Sequence, residues 1–507
     1  MEKLTYRQAA EVLKKLEDTI PIDDLILNEI NVWPFIKSSI TNQILGFQFR
    51  EKSTLAKKNI KQRIGDVIFA FNKLIQLRKI KQKTKKIKVD KIFTKENKEN
   101  KIIYISHANH RSQLIDGKYW NPYPDSFVST VNNRNNAAII EFAEQNNRKE
   151  PPFEKIIYAD DIVNRAKYRN QKKILVAYLK AIFFPNRKAK NNFPEKLLFK
   201  RLEELNISEY YNYQDLVYEF NYIQSLRIEL RDFFKKTKPK HVVFGVFYAH
   251  EAFASVLACK DLSIKTIEVQ HGLYNKIFYQ LPVKNYELLP HYFFSWNTEQ
   301  SNIVNSWAKK TSTHKAFSYG INSLSFWMKK KSAFNNGYGR NIQDIVKANT
   351  SLNFILFTFS DCIEDQLADL IILSKNEVFW FLRLHPRIKY QNLDVFIEKL
   401  KKTNCSNYDI ENASKAPMYP LLEAVDFHMT SSSSVVMEAL VLSIPSFVIN
   451  DAGKILYYED YANNPLVHFT QKNSEILEII RKKTHNERNE NEQINIVFEN
   501  FLKKTEG

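Results

Sequence analysis

Glycine is scarce, at 10 of 507 residues, so a glycine-rich phosphate loop is not how this chain would hold a ligand. Cysteine is scarcer still. Cys259, Cys362 and Cys405 lie far apart, share no metal-ligand spacing and cannot close a disulfide framework. That usage points to a reducing compartment. No run of about 18 uninterrupted apolar residues occurs. The nearest, Val242 to Leu257, is broken by His250 and Glu251. The N-terminus, MEKLTYRQAAEVLKKLED, mixes acids and bases in a helical amphipathic pattern and lacks the apolar core of a signal peptide. The expected location is cytoplasmic, with a peripheral position at the inner face of the membrane as an extension of that reading. No DxD pattern flanked by strand signals suggests a metal, and no cofactor is expected.

What the chain does have is length, apolar content and positive charge. At 507 residues it is too long for one ordinary core and calls for two domains. Hydrophobic residues make up 44%, enough to build both cores. Aromatic residues suit packed interiors and sugar-stacking surfaces alike, and packing accounts for most of them. The net charge of +19 is concentrated between Lys73 and Lys101. Ile60, Ile64, Val67, Ile68, Phe71, Leu74 and Ile75 precede or overlap that stretch at near-helical spacing. A basic helix of this kind over residues 59–101 fits an anionic membrane surface. It equally fits a core-packed helix followed by a solvated lysine-rich loop. Nucleic acid is the disfavoured partner, because no nucleic-acid motif accompanies the charge.

Hydrophobic patterning sets the organisation. Residues 1–98 read as a helical, basic N-terminal extension. A Rossmann-like domain is expected over 99–322, with buried strands at 101–107, 241–247, 264–270 and 291–296 and another near His314–Ser318. Long helical patterns fill about 136–237, and a helix follows at 249–261. After a polar interval at 323–350, a second Rossmann-like domain spans 349–472, with strands at 352–359, 377–384, 425–430 and 445–450 and helices at 362–374, 391–402 and 433–442. Residues 473–507 read as a C-terminal helix. Regular strand–helix alternation implies two doubly wound parallel α/β domains, which bind ligands at strand C-termini. Two such domains facing a cleft form the GT-B architecture.

The chemistry-bearing residues fall at these strand ends. Leu384-His385-Pro386-Arg387 directly follows a strand. Proline stiffens the loop, and histidine with arginine can meet phosphate charge. Thr430 leads into Ser431, Ser432, Ser433 and Ser434 ahead of a helix. Hydroxyls and free backbone N–H groups at a helix start suit an anion, although one serine is expected simply to cap the helix. Glu438, one turn later, can accept from a ribose or sugar hydroxyl. Thr358 and Ser360, at the mouth of the 352–359 strand, are placed with this donor site. In the first domain, Gln270-His271-Gly272 follows a strand, with Lys276 just beyond; the glycine permits a sharp turn. His271 and Lys276 are expected to face the other domain.

Tyr248, Glu251, Ala258-Cys259 and Gln270-His271-Gly272, then His385-Pro386, then Ser431–Ser434 with Glu438, together resemble bacterial capsule and surface-polysaccharide glycosyltransferases of the GT-B fold. The His-Pro and Ser-Ser motifs are similar to those of sialyltransferases, polysialyltransferases and Kdo transferases, which use CMP-sugars. The resemblance spans about residues 100–470. It implies that His385 and the serines contact the nucleotide and its phosphate, and that the acceptor is a glycan or lipid-linked saccharide. Asp116-Gly117 resembles the acidic-residue–Gly motif of polysialyltransferases, with Ile115 standing where those enzymes carry further acidic residues.

An inverting transfer needs a base for the acceptor hydroxyl. Asp116 is the first candidate, Glu251 the second and Asp125 a third; Glu251 equally suits the start of a helix for purely structural reasons. Three other functions stay open. They are a nucleotide-sugar epimerase, a polyol-phosphate transferase using CDP-glycerol, and a non-enzymatic membrane-surface or nucleic-acid-binding scaffold.

Overall fold

The computed structural model describes residues 4–45, 60–84, 86–87, 101–111, 113–115, 117–130, 136–142, 148–153, 156–183, 195–272, 274, 279–281, 287–308, 314–329, 337–360, 363–385 and 392–482. The chain forms two compact units. The first comprises Met1–Asn109, Phe127–Arg148 and Phe153–Tyr319, and the second His110–Ser126, Lys149–Pro152 and Gly320–Gly507. The main exchange between units falls between Tyr319 and Gly320. The short excursions at 110–126 and 149–152 have no sequence signal.

In the first unit, α1 (Tyr6–Thr19) starts at a reciprocal capping box between Thr5 and Gln8. It sets Ala9, Leu13 and Leu16 into the core alongside Trp33, Phe35, Ile36 and Ile40 of α2 (Trp33–Ile44). The N-terminal helices therefore belong to this unit's core. Beyond them come α3 (Ile60–Lys83), α4 (Asp160–Phe183), α5 (Tyr213–Thr237) and α6 (His250–Lys260). They accompany seven parallel strands: β1 (Ile102–His107), β2 (Ala137–Phe142), β3 (Ile156–Tyr158), β4 (His241–Phe244), β5 (Lys265–Val269), β6 (Tyr292–Ser295) and β7 (Lys315–Ser318). The sheet order is β7-β6-β5-β4-β1-β2-β3.

Two of these strands correct the expectation of continuous helix over 136–237. The run Ala137–Phe142 is buried at every position and pairs with β1 over six residues. A six-residue run that is apolar except for Glu141 carries no period that separates a buried strand from a buried helix, and here the neighbouring strand decides. β3 then pairs outside it.

The second unit holds six parallel strands: β8 (Asn353–Thr358), β9 (Val378–Arg383), β10 (Tyr408–Asp409), β11 (Phe427–Thr430), β12 (Ser446–Val448) and β13 (Val467–Phe469). Their order is β10-β9-β8-β11-β12-β13. Strands covered on both faces must be apolar on both. Accordingly Ile355, Phe357, Trp380 and Leu382 enter one core, while Phe354, Phe379 and Phe381 stack on the alternate face. Helices α7 (Asp365–Leu373), α8 (Val435–Val441) and α9 (Asp451–Tyr461) follow β8, β11 and β12. The polar interval near 323–350 carries two helices, Asn322–Lys329 and Tyr338–Ala348. The final helix, Asn473–Lys482, buries Ile476, Leu477 and Ile480; the rest of the helix expected over 473–507 lies outside the described residues.

Both sheets are doubly wound. In each, the first strand lies inside, and the chain builds outward first to one side and then to the other. That topology opens a crevice at the strand C-termini where the direction reverses. In the first unit the reversal lies between β1 and β4, and in the second between β8 and β11.

Candidate functional site

At the first unit's reversal point, β1 ends on His107 and β4 leads through a short loop into α6. Glu251, in the first turn of α6, places its Oε2 3.7 Å from His107 Nε2. Both side chains are partly exposed, so a carboxylate and an imidazole meet where the topology opens the sheet. The loop and helix start are anchored from beneath. Ser38 of α2 donates to the carbonyl of Tyr248 at 2.9 Å, and His250 Nε2 lies 3.5 Å from buried Glu219 of α5. Glu219 also accepts from Ser39 at 2.9 Å and from Tyr211 at 3.0 Å. Helix α2 thus holds the loop that leads into α6 and Glu251.

One strand further out, after β5, the Gln-His-Gly triplet divides its labour. Gln270 is buried and ties loops together: its Oε1 accepts from Trp296 N at 2.7 Å, its carbonyl accepts from Trp296 Nε1 at 2.8 Å, and its Nε2 donates to the Gly272 carbonyl at 2.7 Å. His271 is half-buried, with Nε2 3.1 Å from Tyr248 Oη, which accepts from Tyr279 at 3.0 Å. Burial raises the Tyr279 pKa well above the ordinary phenol value, with Tyr248 and its hydrogen bond adding to the shift. Tyr279 is therefore a neutral donor that orients Tyr248 towards His271. Lys276 lies outside the described residues, as does Asp116. The flanks of Asp116, Gln113–Ile115 and Lys118–Trp120, pair as an antiparallel hairpin with Gly117 at φ 75°. Asp125 is no candidate base. It is fully buried, pairs with Arg111 at 2.6 Å and accepts from Asn121 N at 2.8 Å.

At the second unit's reversal point, β8 runs into Ser360 and β11 into the serine turn. Ser432 N donates to Ser360 Oγ at 3.1 Å, which ties the two strand ends together. The serines are not equivalent. Ser431 is fully buried and donates to Glu364 Oε1 at 2.7 Å. Ser433 Oγ accepts from Val435 N at 3.4 Å. Ser434 stands at the helix-capping position, yet its side chain makes no capping bond. Ser432 and Ser434 are partly exposed, and among the described residues no side-chain hydrogen bond engages their hydroxyls.

The turn is braced from below. Tyr457 of α9 donates to the Ser433 carbonyl at 2.6 Å, and Asn450 donates to Glu364 at 2.8 Å. A Cβ on Gly453 would meet the Ser431 carbonyl oxygen at 2.0 Å, so only glycine lets α9 approach this closely. Thr358 is buried in the sheet, with its hydroxyl 2.9 Å from His428 Nε2. Burial lowers the His428 pKa to about 3, which keeps this ring neutral. The Thr358 hydroxyl is therefore directed into the sheet.

Glu438 lies one turn into α8. Its Oε1 accepts from Tyr419 at 3.0 Å, and Tyr419 Oη is 2.6 Å from Ser323 Oγ. Burial raises its pKa to about 7, with Tyr419 and Arg383 pulling the other way. Arg383, at the end of β9, donates to the carbonyls of Ala413 and Ala416 at 2.7 and 2.6 Å. His385 follows two residues later, half-buried at the same sheet edge; Pro386 and Arg387 lie outside the described residues. Glu438 can thus change protonation near neutrality.

A carboxyl raised from 4.5 to about 7 binds its proton more tightly in the folded state. Its contribution to stability is complete below the unfolded value and is lost as pH rises through about 7, on the order of 3 kcal/mol in all. Thermal unfolding between acid and neutral pH should show this as a falling component in the native chain. Glu438→Gln should flatten it; an identical pH profile in the variant would contradict the raised pKa.

His107, Arg383, Glu364, Tyr419, Gly453 and Tyr457 were not among the residues legible as functional from sequence. His107 had a signal, as a polar residue closing a buried strand. The others are brought in from distant segments with no local pattern.

No protein-family model matches the chain, and no curated protein matches it in sequence. Solved structures do resemble it. The UDP-GlcNAc 2-epimerase from Neisseria meningitidis, bound to UDP-GlcNAc, gives a TM-score of 0.44 at 15% identity, covering 75% of this chain and 90% of that one. The wall teichoic acid polymerase TagF, soaked with CDPG, gives 0.42 at 12%, covering 84% and 88%. The Streptomyces sp. SF2575 glycosyltransferase SsfS6 gives 0.34 at 10%, covering 76% and 92%. Scores this low leave substrate and reaction to be read from this chain's own side chains.

Proposed function

We propose that this chain is a glycosyltransferase whose second unit holds a nucleotide-activated sugar. The donor class is a CMP-sugar carrying a nonulosonic acid or Kdo, and the acceptor is a surface polysaccharide or other glycan. The observation that supports this most directly is the pair of partly exposed hydroxyls of Ser432 and Ser434 at the sheet's reversal point. They stand on a turn locked by Ser360, Glu364 and Tyr457. Hydroxyl donors at that edge suit a phosphate. The resemblance of the His-Pro and Ser-Ser motifs to CMP-sugar enzymes favours cytidine.

Each unit takes its own part of the reaction. In the second, Ser432 and Ser434 bind the phosphate, Glu438 accepts from a ribose hydroxyl when ionised, and His385 offsets the charge on the departing phosphate. In the first, Glu251 takes the proton of the acceptor hydroxyl, and His107 holds that carboxylate in place. The acceptor oxygen bonds to the anomeric carbon as the bond from that carbon to the phosphate oxygen breaks. The electron pair leaves with the nucleotide.

Nucleotide-dependent thermal shift tests the donor. CMP at about 100 times its dissociation constant should stabilise the protein by about 2.7 kcal/mol, and CDP and UDP at the same concentration by less. The double variant Ser432→Ala/Ser434→Ala should keep the ligand-free melting temperature, since neither hydroxyl makes a capping bond, and weaken CMP about tenfold through two lost hydrogen bonds. Unchanged CMP affinity would remove the serines from the donor site. A larger shift with UDP or CDP would replace the donor class.

A further inference from the structure

We infer that the paired helices α3 and α4 form a docking surface for an anionic lipid bilayer. The two run antiparallel. Gln171 Nε2 donates to the Ala70 carbonyl at 3.1 Å, and Asn164 Nδ2 donates to Thr84 Oγ1 at 2.9 Å. The ammonium groups of Lys81 and Lys172 flank the Tyr168 ring at 4.9 and 5.0 Å from its centroid. The arc of α3 centred on Ala70, Leu74 and Leu77 is the buried or half-buried one.

A different arc is apolar and, among the described residues, exposed. Ile64, Ile68, Phe71 and Ile75 recur at i, i+4, i+7 and i+11, within about 60° of one another on a helix of 3.6 residues per turn. Their exposures are 47%, 56%, 51% and 40%, and Val176 and Tyr178, on the C-terminal half of α4, reach 48% and 38%. An apolar stripe of this length left exposed by the described residues marks an interaction surface.

The surrounding charge selects the occupant. The α3 sequence IKQRIGDVIFAFNKLIQLRKIKQK holds Asp66 as its one acid against seven basic residues. In α4 the acids are confined to Asp160 and Asp161, paired with Arg148 and Arg165. Lys167, Lys172, Lys173 and Lys180 follow with no further acid. Burial lowers the Lys173 pKa, and Arg169 beside it adds to the shift, as expected where cations outnumber anions. A second copy would bring the same positive charge against itself. A bilayer of anionic lipid takes the apolar arc into its acyl boundary and meets the basic flanks at its headgroups. No described helix is long and apolar enough to cross a membrane.

Co-sedimentation of the full chain with vesicles tests this, using phosphatidylcholine alone and phosphatidylcholine with about 30% phosphatidylglycerol, at an ionic strength of about 0.1 M. The expected result is binding to the anionic vesicles only. Ile68→Glu/Phe71→Glu and Arg78→Glu/Lys79→Glu should each reduce it by about tenfold or more, since every basic residue near the surface contributes roughly fivefold. Melting temperatures should not change, because the substituted side chains are exposed. Failure to bind anionic vesicles, or equal binding by either double variant, would overturn the proposal. So would a marked fall in melting temperature for Ile68→Glu/Phe71→Glu, which would show that the chain itself covers the stripe. A native dimer that this variant dissociates would reassign the stripe to self-association.

Discussion

Glu251→Gln is expected to lower turnover by roughly two or more orders of magnitude while nucleotide affinity changes by less than about twofold. The substitution keeps the shape and hydrogen bonding of the side chain and removes its ability to take a proton. His107 lies 3.7 Å away, and the helix start is anchored through His250 and Glu219, so the geometry should survive. Two measurements separate catalysis from structure. Melting temperature should hold, because Glu251 is partly exposed and makes no buried ion pair. The pH–rate profile should lose its acidic limb, which a merely structural residue would not carry. Asp116→Asn belongs in the same experiment. If Asp116 were the base, that variant would show the large loss, and Glu251→Gln would turn over normally.

The largest effect on stability should come from Asp125→Ala. Asp125 and Arg111 meet in a two-pronged pair, at 2.6 and 3.1 Å, with both side chains essentially sealed from solvent. Arg111 also donates to the Tyr119 carbonyl at 2.7 Å. Removing the carboxylate takes its two-pronged partner from a buried guanidinium, which costs about 3–5 kcal/mol. For a unit of this size that corresponds to a fall of roughly 10 °C or more in melting temperature. Arg111→Met/Asp125→Leu should recover much of the loss, because apolar replacement of both partners removes the buried charge. A cost below about 1 kcal/mol for Asp125→Ala would mean that the pair does not hold the 110–126 segment in place.

The comparison of Asp125 with Glu251 shows where the sequence sufficed. Both are acids near a strand end, and local pattern does not distinguish them. One proves to be spent on a buried arginine fourteen residues before it, and the other faces a half-open histidine from another strand. The serines make the same point. Four in a row signalled an unusual turn, but that the Ser431 hydroxyl is spent depends on Glu364, and the turn is braced by Tyr457 at its carbonyls; the sequence surroundings of both carry no motif.

Strand–helix alternation determined the two parallel α/β sheets, because a strand buried on both faces must be a short apolar run and its helices must alternate with it. The same logic places His271, His385, Ser432 and Glu438 beyond strand ends. It did not resolve Ala137–Phe142, where a short apolar run fits helix and strand equally. Strand order, and with it the reversal points, is a non-local property. It depends on which edges pair across a hundred residues or more, as β1 does with β4. Protonation is non-local too: burial raises the Glu438 carboxyl, against the opposing pull of a tyrosine and an arginine from separate segments. Sequence thus determined which chemical groups reach the sheet edges, and tertiary packing alone decided which of them keep a free polar atom.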